Sequence, residues 1–212
     1  MSDRMWRRFG AASGIFYVVL PILGNDVLGE TRPGIGLLVE LLGFAFFPFF
    51  LGSLWACLRG VEGDGGWLSA AAFGGGLVAL AVKIASVAPV LAVRASEGMD
   101  PGIMEAFIAM NGASFSITFL PLGVMLLATG IVAIRTGALP RWLGWMSAVV
   151  ALGLLGALSA AVVSPSPPEW VFLPMLLYAL WVMATSIVLI RRAGESYTAE
   201  TAPPPRQPAR VG

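Results

Sequence analysis

Ionisable side chains inside long apolar runs are the groups of this sequence that indicate chemistry. Glu40 lies in GLLVELLGFAFFPFF (36–50), and Lys83, the single lysine, lies in GGGLVALAVKIASVAP (74–89). Asp26 lies near the end of an earlier apolar run. An acid and a base in such surroundings either neutralise each other as an ion pair or serve binding or catalysis.

These three side chains are predicted to lie in one layer. Each helical residue rises about 1.5 Å. Measured from the opposite end of its own apolar segment, Glu40 lies at a height of roughly 28 Å, Lys83 at about 24 Å and Asp26 at about 26 Å. That level is close to one edge of a hydrocarbon core about 30 Å thick. One interpretation is therefore that the carboxylates are simple anchors at the membrane surface.

An ion pair between Glu40 and Lys83 is the alternative interpretation. Consecutive helices usually neighbour each other, and pairing lowers the cost of removing both charges from water. Gly36 and Gly43 flank Glu40 on nearly its own face, which allows a partner helix to approach closely. Small residues also surround Lys83 at helical spacing: Gly76, Ala79 and Ser86.

Two asparagines extend the candidate polar layer. Asn25 precedes Asp26, and Asn111 lies in the fourth apolar segment. On a straight helix Asn111 would lie roughly 36 Å from the far end, outside the layer, unless Pro121 bends the helix. We predict that Glu40, Lys83, Asp26, Asn25 and Asn111 form the intramembrane pair or a binding site. If the protein is an enzyme, Glu40 or Asp26 would be its acid.

The composition predicts an all-α, polytopic membrane helix bundle. Hydrophobic residues make up 58% of the chain and charged residues 12%, and the mean hydropathy is +0.85. Apolar blocks of membrane-spanning length alternate with short charged segments. The six predicted transmembrane helices are about 9–28, 34–58, 67–93, 104–134, 141–163 and 169–190.

The domain prediction is one six-helix transmembrane domain over 1–192, followed by a disordered, proline-rich cytoplasmic tail over 193–212. Proline lies inside five of the six blocks, so kinked helices are expected. Gly10 and Gly14 form a GxxxG pattern, which favours close helix packing inside the bundle or the seam of a homo-oligomer.

The distribution of arginine predicts that both chain ends are cytoplasmic. Outer loops contain Arg32 and Arg94, whereas ten arginines lie on the predicted inner side: Arg4, Arg7, Arg8, Arg59, Arg135, Arg141, Arg191, Arg192, Arg206 and Arg210. Five of the seven tryptophans lie at inner helix ends. Arginine-rich usage further suggests the inner membrane of a bacterial cell.

Several function classes are disfavoured by what the chain contains. A formal net charge of +1 gives no basic surface for nucleic acid. With no histidine and one cysteine, Cys57, we expect neither a metal site nor a cofactor, and a Ser-His pair cannot form. A small permease is the third candidate function, after a binding protein and an enzyme, although no internal repeat supports it.

The segment LPLGVMLLATGIVAIRTGALPRWLGWMSAVVALGLLGA (120–157) resembles a bacterial family of six-helix integral membrane proteins known as a domain of unknown function. The shared pattern is a glycine-bearing helix, a turn made by Gly137 and Pro140, and a second helix. The family pattern has a histidine on the outer side of its fourth helix, where this chain has Asn111 or its neighbours. The resemblance implies a fold and no reaction.

From these residues the predicted function is that of a non-enzymatic integral membrane protein. Its polar layer would stabilise the bundle or bind a small amphiphile or membrane lipid. The alternative is a membrane enzyme that uses a buried carboxyl acid on a lipid or isoprenoid substrate.

Overall fold

The computed structural model describes residues 3–63, 65–164 and 169–200. Within these ranges the chain is helical and contains no strand. Six helical segments are long and apolar enough to cross a membrane, which confirms the predicted number: Met5–Val27, Pro33–Glu62, Trp67–Ala95, Pro101–Thr136, Arg141–Val163 and Trp170–Gly194.

Eight α-helices build these six segments. In chain order they are α1 (Asp3–Ile22), α2 (Pro33–Glu62), α3 (Trp67–Ala85), α4 (Val87–Ala95), α5 (Pro101–Ile117), α6 (Phe119–Thr136), α7 (Arg141–Val163) and α8 (Leu173–Glu200). A π-helical turn, Leu23–Val27, continues α1, and a 3₁₀ turn, Glu169–Phe172, precedes α8. The third segment is thus α3 with α4, and the fourth is α5 with α6.

Three predicted ends of helical segments differ from the structure by four residues or more. Helix α1 begins at Asp3, six residues before the predicted start at Phe9. Helix α2 continues to Glu62, four residues beyond the predicted end at Leu58. Helix α8 continues to Glu200, so the first part of the segment predicted as a disordered tail is helical. The remainder of that predicted tail, 201–212, lies outside the described residues.

Two prolines explain why the third and fourth segments are each broken into two helices. A proline inside a helix cannot donate to the carbonyl four residues earlier, and its ring clashes with that carbonyl. Pro89 lies four residues after Ala85, where α3 ends, and Pro121 lies four residues after Ile117, where α5 ends. The breaks at Ser86 and Thr118 therefore follow directly from the sequence.

The other prolines have weaker effects. The chain changes from an α-helix to a π-helical turn shortly after Pro21, whereas α2 stays continuous across Pro48. Pro174 lies in the first turn of α8, where a missing backbone donor costs little. Prolines in the second and sixth segments therefore do not interrupt their helices.

The long helices form a closed ring in which α1 packs on α2, α2 on α3, α3 on α6, α6 on α7, α7 on α8 and α8 on α1. Large buried side chains fill its centre: Phe47, Phe50, Leu51, Leu54, Met125 and Trp181. Helix α5 contributes no buried residue, and α4 packs on α5 and α3 alone. The α4–α5 pair is therefore a hairpin attached to one end of the ring.

The GxxxG pattern of α1 packs inside the chain. A Cβ at Gly10 would lie 3.2 Å from the carbonyl oxygen of Phe49 on α2 and would overlap Ser53. A Cβ at Gly14 would overlap Ser186 on α8. Both glycines thus allow α1 to approach two neighbours of the same molecule.

The predicted hairpin turn between α6 and α7 is confirmed. Gly137 ends α6 with φ of 72°, a left-handed conformation that suits glycine, and α7 begins immediately after Pro140. Cys57 of α2 donates to the carbonyl oxygen of Ala138 over 3.4 Å, and the Arg192 guanidinium of α8 donates to the same carbonyl. Two other helices therefore hold this turn in place.

Candidate functional site

The structure brings Glu40 and Lys83 together. Lys83 Nζ lies 3.5 Å from Glu40 Oε1, and the two side chains are 22% and 17% exposed. A charge that is mostly removed from water needs a partner, and each of these supplies one to the other. The ion pair joins α2 to α3 at the end of the ring that carries the α4–α5 hairpin.

Close backbone packing fixes the position of Glu40. At the π-helical turn, a Cβ on Gly24 would lie 2.8 Å from the backbone nitrogen of Glu40 and would overlap the carbonyl oxygen of Gly36. Gly43, one turn further along α2, faces Pro21 in the same way. The glycines flanking Glu40 therefore admit α1, as the sequence indicated.

The small residues around Lys83 pack against other helices. Gly76, Ala79 and Ser86 are all buried. A Cβ at Gly76 would lie 2.5 Å from Leu51 on α2 and 3.1 Å from the sulfur of Met125 on α6. This packing directs the Lys83 side chain into the ring.

Two aromatic rings enclose the Lys83 ammonium group. Nζ lies 5.4 Å from the centre of the Phe44 ring and 5.2 Å from that of the Phe115 ring. At such distances the negative face of each ring attracts the cation, by about 0.5–2 kcal/mol depending on desolvation. Glu40 and the rings together stabilise a charged lysine in otherwise apolar surroundings.

Lys83 also lines a narrow cavity, the Lys83 cavity, between α1, α2, α3, α5, α6 and α8. It leaves about 30 Å³ for the centres of water-sized molecules, room for roughly two waters. Its walls are mainly apolar and aromatic: Tyr17, Phe44, Ala79, Leu80, Phe115, Thr118, Leu122 and Met175. The Lys83 ammonium group provides the charge among these lining residues.

Asn111 lies beside this layer, where it contacts the backbone of the third segment. Its side-chain nitrogen donates to the carbonyl oxygen of Ser86 over 2.6 Å. That carbonyl lies at the break between α3 and α4, three residues after Lys83. The Asn111 side chain thus contacts the backbone next to the ion-pair layer, and its helix α5 ends before Thr118, close to Pro121.

Asn25 and Asp26 are not joined to the ion pair. Both are exposed, and the Asn25 amide donates to Asp26 Oδ1 over 3.0 Å. Neither residue lines the Lys83 cavity. Counting along a regular helix predicted that Asp26 belongs to the layer, but it lies in the exposed π-helical turn at the end of α1.

Sequence reasoning missed the aromatic part of the site. Tyr17, Phe44 and Phe115 are aromatic residues of apolar helices, and no spacing distinguishes them from ordinary core residues. Tyr17 stacks on Phe47 at 4.2 Å between ring centres and meets the Tyr178 ring edge-on at 6.4 Å. A second aromatic layer therefore lies directly behind the cavity wall.

The hydroxyl groups of Thr185 and Ser186, both on α8, are buried and have no hydrogen-bond partner among the described residues. Buried polar atoms are normally paired, so each unpaired hydroxyl lowers stability. Other hydroxyls of the core are paired, as Ser147 shows by accepting a 2.7 Å hydrogen bond from the Trp181 indole.

Chemically, the arrangement offers one cation and several apolar surfaces. An ammonium group has three donors, and Glu40 is the carboxylate in contact with Lys83. An acceptor group that entered the cavity would therefore meet a charged donor, while its apolar part would meet aromatic and aliphatic walls. Comparison with family models, with characterised proteins and with solved structures gives no match to this chain.

Proposed function

We propose that this protein is a non-enzymatic membrane protein that binds a small amphiphile or lipid at the Lys83 cavity. The observation that carries the proposal is the position of the Lys83 ammonium group in the wall of an otherwise apolar and aromatic cavity. The same ion pair that binds the ligand would also stabilise the bundle.

The size and chemistry of the cavity indicate the kind of ligand. About 30 Å³ accommodates a small acceptor group, such as a carboxylate, and leaves no room for a complete lipid. The apolar tail would then lie along the outer helix surfaces, where exposed residues such as Ile84 and Leu91 already suit hydrocarbon. A small polar head with an apolar tail is an amphiphile.

The ion pair disfavours the enzymatic alternative. An acid that acts on an isoprenoid must be able to hold a proton in an apolar site. Glu40 is the ion-pair partner of Lys83, 3.5 Å from its ammonium nitrogen, and Asp26 is exposed and outside the cavity. Neither carboxyl group has the surroundings of a buried general acid.

A permease would need access from both membrane surfaces. Another pocket of the described chain, larger than the Lys83 cavity, lies at the opposite end of the ring. It shares no lining residue with the Lys83 cavity. The geometry therefore favours a binding site at one end of the bundle over a path that crosses the bundle.

We further propose that both chain ends face the cytoplasm of a bacterial cell and that the protein lies in its inner membrane. The support is the bias of arginine towards one side, together with six helices of membrane-spanning length. Membership of the bacterial family that the 120–157 hairpin resembles, and assembly into a homo-oligomer, remain predictions.

Native mass spectrometry of the purified protein tests the binding proposal. The wild type is compared with Lys83→Gln, with the double variant Glu40→Gln/Lys83→Gln, and with Arg32→Gln, which removes an exposed cation outside the cavity. We expect a lipid of defined mass on the wild type and on Arg32→Gln, and its loss from both Lys83 variants.

The double variant separates binding from folding because it leaves no uncompensated charge in the layer. If it remains folded and still retains the lipid, the ligand does not bind at Lys83. A wild type that carries no lipid, or the same lipid population on all four proteins, would contradict the proposal.

A further inference from the structure

A second pocket lies where the turn between α2 and α3 meets the end of α6. We call it the Glu62 pocket, and its lining is Glu62, Trp67, Leu68, Val132, Arg135 and Thr136. It leaves about 170 Å³ for the centres of water-sized molecules, more than five times the space of the Lys83 cavity. It therefore has room for a lipid headgroup.

Glu62 is held in a fixed position in this pocket. Its Oε1 accepts from the backbone nitrogen of Leu68 over 2.9 Å, and its Oε2 accepts from that of Ser69 over 2.8 Å and from the Ser69 hydroxyl. The carboxylate thereby caps the first turn of α3. Because each carboxylate oxygen can accept two hydrogen bonds, Oε1 retains one free acceptor position.

Arg135 provides the opposite charge. Its side chain is exposed, and no ion pair or hydrogen bond joins it to a residue that the structure describes. Arg135 and Glu62 line one pocket without forming an ion pair with each other. The pocket thus presents a planar guanidinium and a separate, fixed carboxylate.

We propose that the Glu62 pocket binds the headgroup of a phosphoethanolamine lipid. A phosphate matches the paired donors of the Arg135 guanidinium, and a primary ammonium can donate to the free position of Glu62. A purely anionic headgroup would leave the free position of Glu62 without a donor, and a purely cationic one would leave the Arg135 guanidinium without an acceptor. A headgroup that carries both charges satisfies the two side chains together.

The surroundings indicate a lipid rather than a free solute. Trp67, at the rim, is 69% exposed, and tryptophan is enriched where membrane headgroups meet hydrocarbon. Exposed apolar side chains continue from the rim along the helices, among them Leu77 and Val78 on α3 and Ile131 on α6. The acyl chains would lie along this surface.

Titration of the full-length, detergent-solubilised protein with short-chain lipids, read by native mass spectrometry, tests the proposal. We expect phosphatidylethanolamine to bind about tenfold more tightly than phosphatidylglycerol, which lacks the ammonium group, and than phosphatidylcholine, whose ammonium cannot donate. Equal affinity for the three lipids would overturn the proposal. So would binding of free phosphoethanolamine as tight as that of the lipid.

Three variants locate the site. Arg135→Gln is expected to weaken phosphatidylethanolamine binding about tenfold, whereas Arg141→Gln, an exposed arginine outside the pocket, should leave it unchanged. Glu62→Gln should abolish the preference over phosphatidylglycerol. Equal effects of the two arginine substitutions would show a non-specific charge effect and would overturn the proposed binding site. This comparison remains valid if Glu62→Gln lowers stability, because it uses the two arginine variants alone. The Lys83 cavity is not involved, so this test is independent of the function proposed above.

Discussion

The Asn111 side chain donates a 2.6 Å hydrogen bond to the carbonyl oxygen of Ser86, and this bond joins α5 to the break of the third membrane segment. Ser86 separates α3 from α4, and Asn111 lies on α5 two turns before the break at Thr118. Both breaks arise from prolines that remove a helical hydrogen bond. The Asn111 bond therefore holds the α4–α5 hairpin against the ring.

We predict that Asn111→Ala loosens this hairpin. Loss of one hydrogen bond should lower the free energy of unfolding by about 1 kcal/mol, and amide hydrogen exchange should accelerate in α4 and α5 but not in α7. Ser116→Ala is the control, because its hydroxyl contacts only Gly112 of its own helix. Uniform exchange changes across the molecule would contradict the assignment.

We also predict energetic coupling between Glu40 and Lys83. Lys83→Met should destabilise the protein more than the double change Glu40→Gln/Lys83→Met, because the single change leaves a mostly buried carboxylate without its partner. The coupling in a double-mutant cycle, measured by reversible unfolding in detergent, should fall in the range of about 0.5–3 kcal/mol.

The matched control for that cycle pairs Lys83→Met with Glu97→Gln, an exposed carboxylate beyond the end of α4. This second cycle should give no coupling. Additive losses in the Glu40 cycle would show that the two charges do not stabilise each other.

These two relationships differ in how far the sequence predicts them. The Glu40–Lys83 contact was predicted because both residues are rare charges at matching levels of consecutive helices, and small residues mark the faces that pack. The helix breaks were predictable in kind, since Pro89 and Pro121 each remove one bond. That the Asn111 side chain meets the break at Ser86 depends on the packing of residues far apart in the sequence.

Other parts of the two sites required the structure. Phe44 and Phe115 line the Lys83 cavity as ordinary aromatic residues of apolar helices, so no local signal separated them from the core. Asp26 was placed in the layer by a count that assumes a regular helix, but a π-helical turn changes the direction of its side chain. Glu62 lies just beyond the predicted end of its helix, where a capping role requires the position of α3.

The unpaired hydroxyl of Thr185 gives a third prediction. Thr185→Val removes a buried hydroxyl that has no hydrogen-bond partner among the described residues and keeps the shape of the side chain, so the free energy of unfolding should stay the same or rise. Ser147→Ala also removes one buried hydroxyl, but it leaves the Trp181 indole nitrogen without its acceptor and should cost about 1–3 kcal/mol. Unfolding of both variants by denaturant in the same detergent gives the comparison. A larger loss for Thr185→Val than for Ser147→Ala would show that the Thr185 hydroxyl has a bound partner.

Adjacent glycines of α3 give the fourth prediction. A Cβ at Gly75 would lie 2.8 Å from the carbonyl oxygen of Pro121 and 3.0 Å from the backbone nitrogen of Met125, whereas a Cβ at Gly74 would meet no atom within 4 Å. Backbone atoms cannot move aside as a flexible side chain can, so Gly75→Ala must separate α3 from α6 and should cost about 1–3 kcal/mol.

Gly74→Ala is the matched control, because it adds the same methyl group one position away. It should leave stability unchanged or raise it by up to about 1 kcal/mol, since alanine is the better helix former. Thermal unfolding of the two variants measures the difference. The displacement of α3 should also weaken the contact between Lys83 and Phe115, because α3 carries the lysine and α6 follows the helix that carries the ring. Gly75→Ala should therefore reduce lipid retention at the Lys83 cavity, and Gly74→Ala should not; equal stability of both variants would mean that α3 and α6 are not in direct backbone contact.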